Sequence, residues 1–339
     1  MKIVLSFLFF CLLAGSCKKN NEKNDASNYT ACLKATFLPT SIQDAFQSVF
    51  FLNGKEGFVS GYNGGIFKTT DSAKNWIRLN STLNLPIRSL FFTDSLNGFA
   101  AGGQNVCGGT GCIPPGGFIL RTQDGGTTWV QVYTPLNKIE ISSVYFVNAS
   151  TGFCIGDNVI IKTSNGGQTW SEQRIDNLGG KMKQVAFLNP QKGYIVCLSD
   201  KILKTEDGGS SWQISSPGHG SGYFSISAAN GSLYISGQDK ILKSINEGNS
   251  WIEQANSPAD IFAVHFIDDM KGFAFGRGNY SGGDFGRYYG SIYCTTDGGI
   301  TWNGTADVKE TVLISAVSFP SNDIGYAVGG NIVIRINTN

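Results

Sequence analysis

The sequence predicts an all-β fold, a seven-bladed β-propeller of four-stranded antiparallel blades closed by an N-terminal strand that completes blade seven. Three observations carry this. Glycine is abundant (44 residues) and proline scarce (9), and Gly, Asn, Asp and Ser recur in short clusters between apolar runs, the composition of many short strands joined by tight turns. All six tryptophans end one eight-residue phrase, of which Thr122-Gln123-Asp124-Gly125-Gly126-Thr127-Thr128-Trp129 is the cleanest instance. Successive tryptophans lie 39 to 53 residues apart, the period of a propeller blade.

Each element follows from the phrase and its approach. An apolar strand comes first, as in Val49-Phe50-Phe51-Leu52, Leu90-Phe91-Phe92 and Val144-Tyr145-Phe146-Val147. A turn and a Gly-aromatic pair open the second strand: Gly57-Phe58, Gly98-Phe99, Gly152-Phe153, Gly193-Tyr194 and Gly272-Phe273. A third strand runs into the phrase, and a fourth starts at its tryptophan. Blade five departs from this pattern, with Leu233-Tyr234 in place of the Gly-aromatic pair. Within the phrase, an Asp or Asn can accept hydrogen bonds from amides of its own turn, and the following Gly tolerates positive φ. Asp71, Asp124, Asn165, Asp207, Asn246 and Asp297 hold that position. Trp76, Trp129, Trp170, Trp212, Trp251 and Trp302 close the phrase and bury a large apolar surface. The phrase therefore reads as a structural clip, and its acids as poor catalysts.

A seventh unit supplies three strands, at Ala316-Val317-Ser318-Phe319, Gly325 to Gly329 and Ile332 to Arg335, and then the sequence stops. Tyr29 to Leu38 reads as an orphan strand ahead of blade one. Pairing the two closes the ring and removes two exposed sheet edges.

The first residues differ from the rest. Lys2 precedes an apolar run from Ile3 to Ala14, then Gly15, Ser16 and Cys17. The run is too short for a membrane span and fits a signal-peptide h-region. Residues 1–16 are expected to be a signal peptide and 17–28 a lipidated Cys17 with a polar tether, followed by the propeller over 29–339. Ala14 stands where lipoprotein signals more often carry Leu, and an ordinary secretory signal is the rival. The expected address is the bacterial cell envelope, on an outer-membrane lipoprotein. Of the remaining cysteines, Cys107 and Cys112 in Cys-Gly-Gly-Thr-Gly-Cys are close enough in sequence to suggest a disulfide in an oxidising compartment. Cys32, Cys154, Cys197 and Cys294 sit singly and read as small buried hydrophobes.

The repeated phrase, with Gly57-Phe58-Val59-Ser60-Gly61 and Ile66-Phe67-Lys68-Thr69-Thr70-Asp71 leading to Trp76, resembles the Asp-box, or BNR-repeat, propellers, a superfamily that includes sialidases. Around the ring it looks most like the photosystem II stability and assembly factor family, over about residues 29–339. That resemblance implies a non-enzymatic assembly chaperone. It also implies an arginine-rich surface, whereas the seven arginines here, Arg78, Arg88, Arg121, Arg174, Arg277, Arg287 and Arg335, occupy no evident repeating position.

The function expected is a binding or assembly scaffold for an envelope protein or glycan; the alternative is a glycoside hydrolase or lyase of the same superfamily. A net charge of +1 gives no footprint for nucleic acid. No cofactor, metal or catalytic set is expected, and a monomeric propeller is. Two insertions fall between second and third strands, on the face opposite the Asp-boxes. Blade two carries Asn105 to Gly117, and blade six carries Arg277 to Gly290. Seven-fold geometry puts them about 150° apart around the ring. Arg277, Tyr280, Asp284, Phe285, Arg287, Tyr288 and Tyr289 are the candidate ligand-binding residues, since aromatics and arginines dominate binding hot spots. His219, in the link between blades four and five, is expected on the same face beside the channel mouth. His265 is expected to be a packed core histidine.

Overall fold

A computed structural model describes residues 32–79, 83–108, 111–220, 222–238, 240–254, 258, 260–281, 287–308 and 313–338, with side chains described outside 105–115, 277–289 and 305–308. The described residues form seven sheets of four antiparallel strands. Six sheets run in chain order from inner to outer strand. In the seventh, the inner strands Ala316–Ser318, Ile324–Gly329 and Ile332–Asn337 are completed on the outside by Lys34–Leu38. The pairing runs from Lys34 opposite Asn337 to Leu38 opposite Val333. The first and last described strands thus share one blade, as the orphan strand implied.

The Gly-aromatic pairs mark where blades meet. In blades one to four and six, the glycine that opens the second strand faces a phenylalanine ending the inner strand, as Gly152 faces Phe146. In blade seven Gly325 meets Phe319 in the same way. A Cβ on any of these six glycines would lie 2.4 to 2.5 Å from that ring, so the ring occupies the space a side chain would need. The aromatic after the glycine then stacks on the phenylalanine of the next blade. Phe58 meets Phe92 at 4.0 Å, Phe99 meets Phe146 at 4.2 Å and Phe153 meets Phe187 at 4.8 Å. Tyr326 of blade seven meets Phe51 of blade one at 3.5 Å, carrying the stack across the ring closure. The tryptophans Trp76, Trp129 and Trp302 pack edge-on against Phe51, Phe92 and Phe266. The core is therefore a set of inter-blade clusters rather than one centre.

One cysteine expectation is overturned. Cys32 and Cys294 form a disulfide, with Cα atoms 6.3 Å apart and 262 residues between them in sequence. Cys294 lies in the third strand of blade six (Arg287–Thr295), and Cys32 just precedes the outer strand of blade seven. Ring closure brings these remote positions together, which spacing along the chain cannot reveal. Cys154 and Cys197 are free and buried, as read.

Candidate functional site

The Asp-box turns come first because their acids are the most regular polar feature. In every box the hydroxyl two residues earlier donates to the Asp or Asn carbonyl or carboxylate oxygen, as Thr122 does to Asp124 at 2.8 Å. The amide four residues later donates to the same oxygen, as Thr128 does at 2.9 Å. The two glycines adopt positive φ, 69° and 90° at Gly125 and Gly126. Charge-favouring hydrogen bonds lower the carboxyl pKa. The amide of Thr128, then its hydroxyl, holds Asp124 down to about 2, and the amide and side chain of Asn75 do the same for Asp71. The Ser211 hydroxyl and amide lower Asp207. At Asp297 burial opposes, and the bonds from Thr301 and Thr295 outweigh it. These acids are ions engaged by their own turns.

A second repeated contact joins three of these turns to the box of the next blade. Lys68, Lys162 and Lys243, one residue ahead of their boxes, donate to the carbonyls of Gly125, Gly208 and Gly298 in the next blade. Each ammonium also lies over the aromatic of its own second strand, Phe58, Phe153 or Tyr234, at 5.0 to 5.5 Å. The Lys-Thr or Lys-Ser doublet before the phrase is the sequence signal for this clasp. It reads as an ordinary solvent-facing charge unless the neighbouring blade is in view.

On the opposite face the two insertions are long hairpins. In blade two the strands Gly98–Gly108 and Gly111–Thr122 stay paired to their tips, with Cys107 opposite Cys112; the side chains of both cysteines lie outside the described residues. In blade six Gly272–Ser281 pairs with Arg287–Thr295, and Tyr280 stands opposite Tyr288. Asp284 and Phe285 lie outside the described residues, as do the side chains of Arg277, Tyr280, Arg287, Tyr288 and Tyr289. Cys17 also lies outside them.

His219 sits elsewhere than expected. Its Nε2 is 3.3 Å from the Trp251 carbonyl, and its Nδ1 is 3.7 Å from the Glu253 carboxylate. Those residues begin and form the outermost strand of blade five (Ile252–Glu253), so His219 lies at the perimeter, not beside the channel. The link crosses the outer edge of the next blade before turning inward. His265 stacks flat on Phe319 at 4.3 Å, and burial pushes its pKa down to about 4.

The channel mouth holds residues that sequence reasoning passed over. Five inner strands carry a β-bulge near their start, between Phe46 and Ser48, Ile87 and Ser89, Met182 and Gln184, Tyr223 and Ser225, and Ile261 and Ala263. Bulges re-aim side chains and are common beside sites. The residues before each bulge are buried between blades. The bulged residues, Gln47, Arg88, Lys183, Phe224 and Phe262, turn to the axis. Phe224 and Phe262, from adjacent blades, meet at 5.2 Å. Arg88 pairs with Glu140 at 2.8 Å. Lys183, on blade four, has its pKa lowered by desolvation and by Arg88 on blade two, with Glu140 acting the other way. Glu140 enters blade three, between blades two and four, so these groups gather over three successive blades. Lys183 is open to the channel yet surrounded by protein, and among the described residues no carboxylate lies within ion-pair distance of it. The sequence signal was an isolated Gln, Arg or Lys second in an apolar inner strand.

Seven four-stranded blades, six of them closed by Asp-box turns whose Asp or Asn is bonded within the turn, define a BNR-repeat propeller, a fold that presents loops and a channel mouth from a rigid ring. Residues 122–214 and 177–333 match the model of the photosynthesis system II assembly factor YCF48 family, and the chain belongs to that family. Solved structures agree on the fold. YCF48 bound to a D1 peptide superposes with TM-score 0.69 at 20% identity, over 92% of this chain and 98% of that one. YCF48 from Cyanidioschyzon merolae superposes with TM-score 0.69 at 16% identity, over 89% and 98%. The GH74 enzyme of Niastella koreensis superposes with TM-score 0.65 at 15% identity over 88% of this chain, which spans only 53% of that enzyme. No curated protein matches the chain.

Proposed function

We propose that the protein is a non-enzymatic binding or assembly scaffold, exported and held in the bacterial envelope by lipid on Cys17, that captures a protein segment on the face bearing the long hairpins. Membership of the YCF48 family carries this reading, and a YCF48 structure holds a D1 peptide. The Cys32–Cys294 disulfide supports export, because such bonds persist in oxidising compartments. The Asp-box acids, each engaged by its own turn, favour a scaffold over a hydrolase. The blade-six hairpin, with Tyr288 and Tyr289 near its tip, is the proposed capture element, and a Cys107–Cys112 disulfide would stiffen the blade-two hairpin facing it.

The test is affinity capture from native envelope membranes, comparing the intact propeller with Tyr288→Ala/Tyr289→Ala. The variant should lose its specific partner while unfolding at nearly the same temperature. Equal capture by both would place the partner elsewhere. Cys17→Ala should move the protein from the membrane to the soluble fraction, since anchoring rests on acyl burial at ~0.8 kcal/mol per CH₂; unchanged fractionation would refute the anchor.

A further inference from the structure

We infer that the bulge ring at the channel mouth is a receptor for a peptide carboxylate flanked by an apolar side chain, with Lys183 taking the carboxylate and Phe224 and Phe262 the apolar neighbour. This rests on the scaffold reading and names the chemistry of the ligand at a place distinct from the hairpin tips. The charge count is the first argument. Arg88 and Lys183 share one described acid, Glu140, and Arg88 holds it at 2.8 Å. That leaves Lys183, exposed to the channel, without an ion-pair partner among the described residues, in surroundings that partly desolvate it. A desolvated charge is costly unless paired, and its lowered pKa reports that cost. An incoming carboxylate would remove it.

Geometry is the second argument. An extra residue in each of five inner strands serves no pairing, since each bulge breaks the register of its sheet. The bulges are shared, but the side chains differ by sector. Gln47, Arg88 and Lys183 make a polar arc on blades one, two and four, and Phe224 and Phe262 make an apolar platform on blades five and six. Lys183 stands next to that platform in blade order, so charge and apolar surface are contiguous. A phosphate or sulfate would use the cations and leave the platform uncovered. A peptide with an acidic and an apolar side chain uses both, and the Gln47 amide can meet its backbone.

The test uses the intact propeller and two capped pentapeptides, acetyl-Gly-Phe-Asp-Phe-Gly-amide and its Asn counterpart, with inorganic phosphate as a third probe, followed by calorimetry. The Asp peptide should bind at least tenfold more tightly than the Asn peptide. Lys183→Met should remove that difference, and Phe224→Ala should weaken both peptides severalfold. Lys183→Met should unfold no earlier than the parent, because it deletes an unpaired cation. Equal binding of the two peptides, no binding of either at millimolar concentration, an unchanged preference in Lys183→Met, or phosphate binding as tight as the Asp peptide would each overturn the inference. The scaffold reading is judged separately: capture from membranes that survives in Lys183→Met but fails in the Tyr288/Tyr289 variant would leave it standing while this site falls.

Discussion

The junction between blades four and five is built differently from the other six, and the difference shows what the repeat encodes. Elsewhere a phenylalanine ring lies on a glycine of its own blade and receives the aromatic of the blade before. In blade five the register places Ala228 opposite Leu233, where the other blades have phenylalanine opposite glycine. The large and small partners have changed places, and both remain packed in one cluster with Tyr194 and Trp251. Tyr194 has no ring to stack on, yet its hydroxyl donates to the Glu247 carbonyl at 2.9 Å, just as the stacked Tyr234 and Tyr326 donate to the carbonyls of Asp269 and Gly54. Lys204 reaches the Asn249 side chain instead of a glycine carbonyl. The Gly-aromatic signature is therefore a rule about shared volume across a sheet, and either strand can supply the bulk.

Swapping the partners in an ordinary blade is the strongest way to break that account. Phe146→Ala should destabilise by ~3–5 kcal/mol through cavity formation. Gly152→Leu should also destabilise, because its side chain would overlap the Phe146 ring. If volume is shared, Phe146→Ala/Gly152→Leu should cost less than the sum of the singles, by ~1–3 kcal/mol of coupling. Denaturant titration of the four proteins measures it; simple additivity would mean that the blade-five arrangement depends on features outside the pair.

The junction between blades six and seven offers the next contrast, since it alone carries a described covalent bond. Cys32 and Cys294 join the N-terminal strand to blade six, beside Leu33, Phe273, Ile292 and Ile334. Cross-linking residues so far apart constrains the unfolded chain strongly. Cys32→Ser is expected to cost ~2–5 kcal/mol and to leave stability much less sensitive to reductant than that of the parent, which should weaken when reduced. Equal stability of the parent with and without reductant would show that strand pairing alone closes the ring. A smaller effect belongs to the lysine clasp. Lys162→Met should lose ~1 kcal/mol from the bond to the Gly208 carbonyl and the contact with Phe153. Lys204→Met, whose partner is a side chain, should lose less.

These contrasts also show what could be read from the chain. Local patterns repeated around the ring were legible, and so were the departures from them: the phrase ending in tryptophan, the Gly-aromatic pair, the exception at Leu233-Tyr234, and the orphan strand needed by blade seven. Each is a short-range consequence of strand period and turn chemistry. What escaped depends on closure. Cys32 meets Cys294 only because the ring brings the N-terminal strand beside blade six. Arg88, Glu140 and Lys183 converge only because the ring sets the inner strands of three successive blades side by side. His219 was placed by its link, but the link crosses the outer edge of blade five before reaching the centre. A single polar residue in an apolar strand carries no label saying that a bulge will turn it toward a channel.

The smallest expected effect separates the Asp boxes from the Asn boxes, and it appears only in acid. Asn165 and Asn246 accept the same turn bonds as the aspartates, from Thr169 and Ser250 at 2.9 and 3.0 Å, without a titratable group. Asp124 differs because its folded-state pKa, about 2, lies below the ordinary value of 3.8. A depressed carboxyl pKa means that the unfolded chain binds the proton more readily. The contribution of Asp124 is therefore complete above about pH 5 and is lost as pH falls through 3.8 toward 2. Asp71, also held at about 2, should behave alike. Asp124→Asn should leave stability at pH 7 nearly unchanged, since the amide oxygen can accept the bonds from Thr122 and Thr128 as it does at Asn165. Between pH 5 and pH 2 the variant should lose less stability than the parent, and Asp71→Asn/Asp124→Asn less again. Asn165→Asp should do the reverse and steepen the acid loss. Parallel pH profiles for all four proteins would mean that the carboxylates are no more strongly bonded in the folded turns than in the unfolded chain, and that Asp and Asn are interchangeable there at any pH.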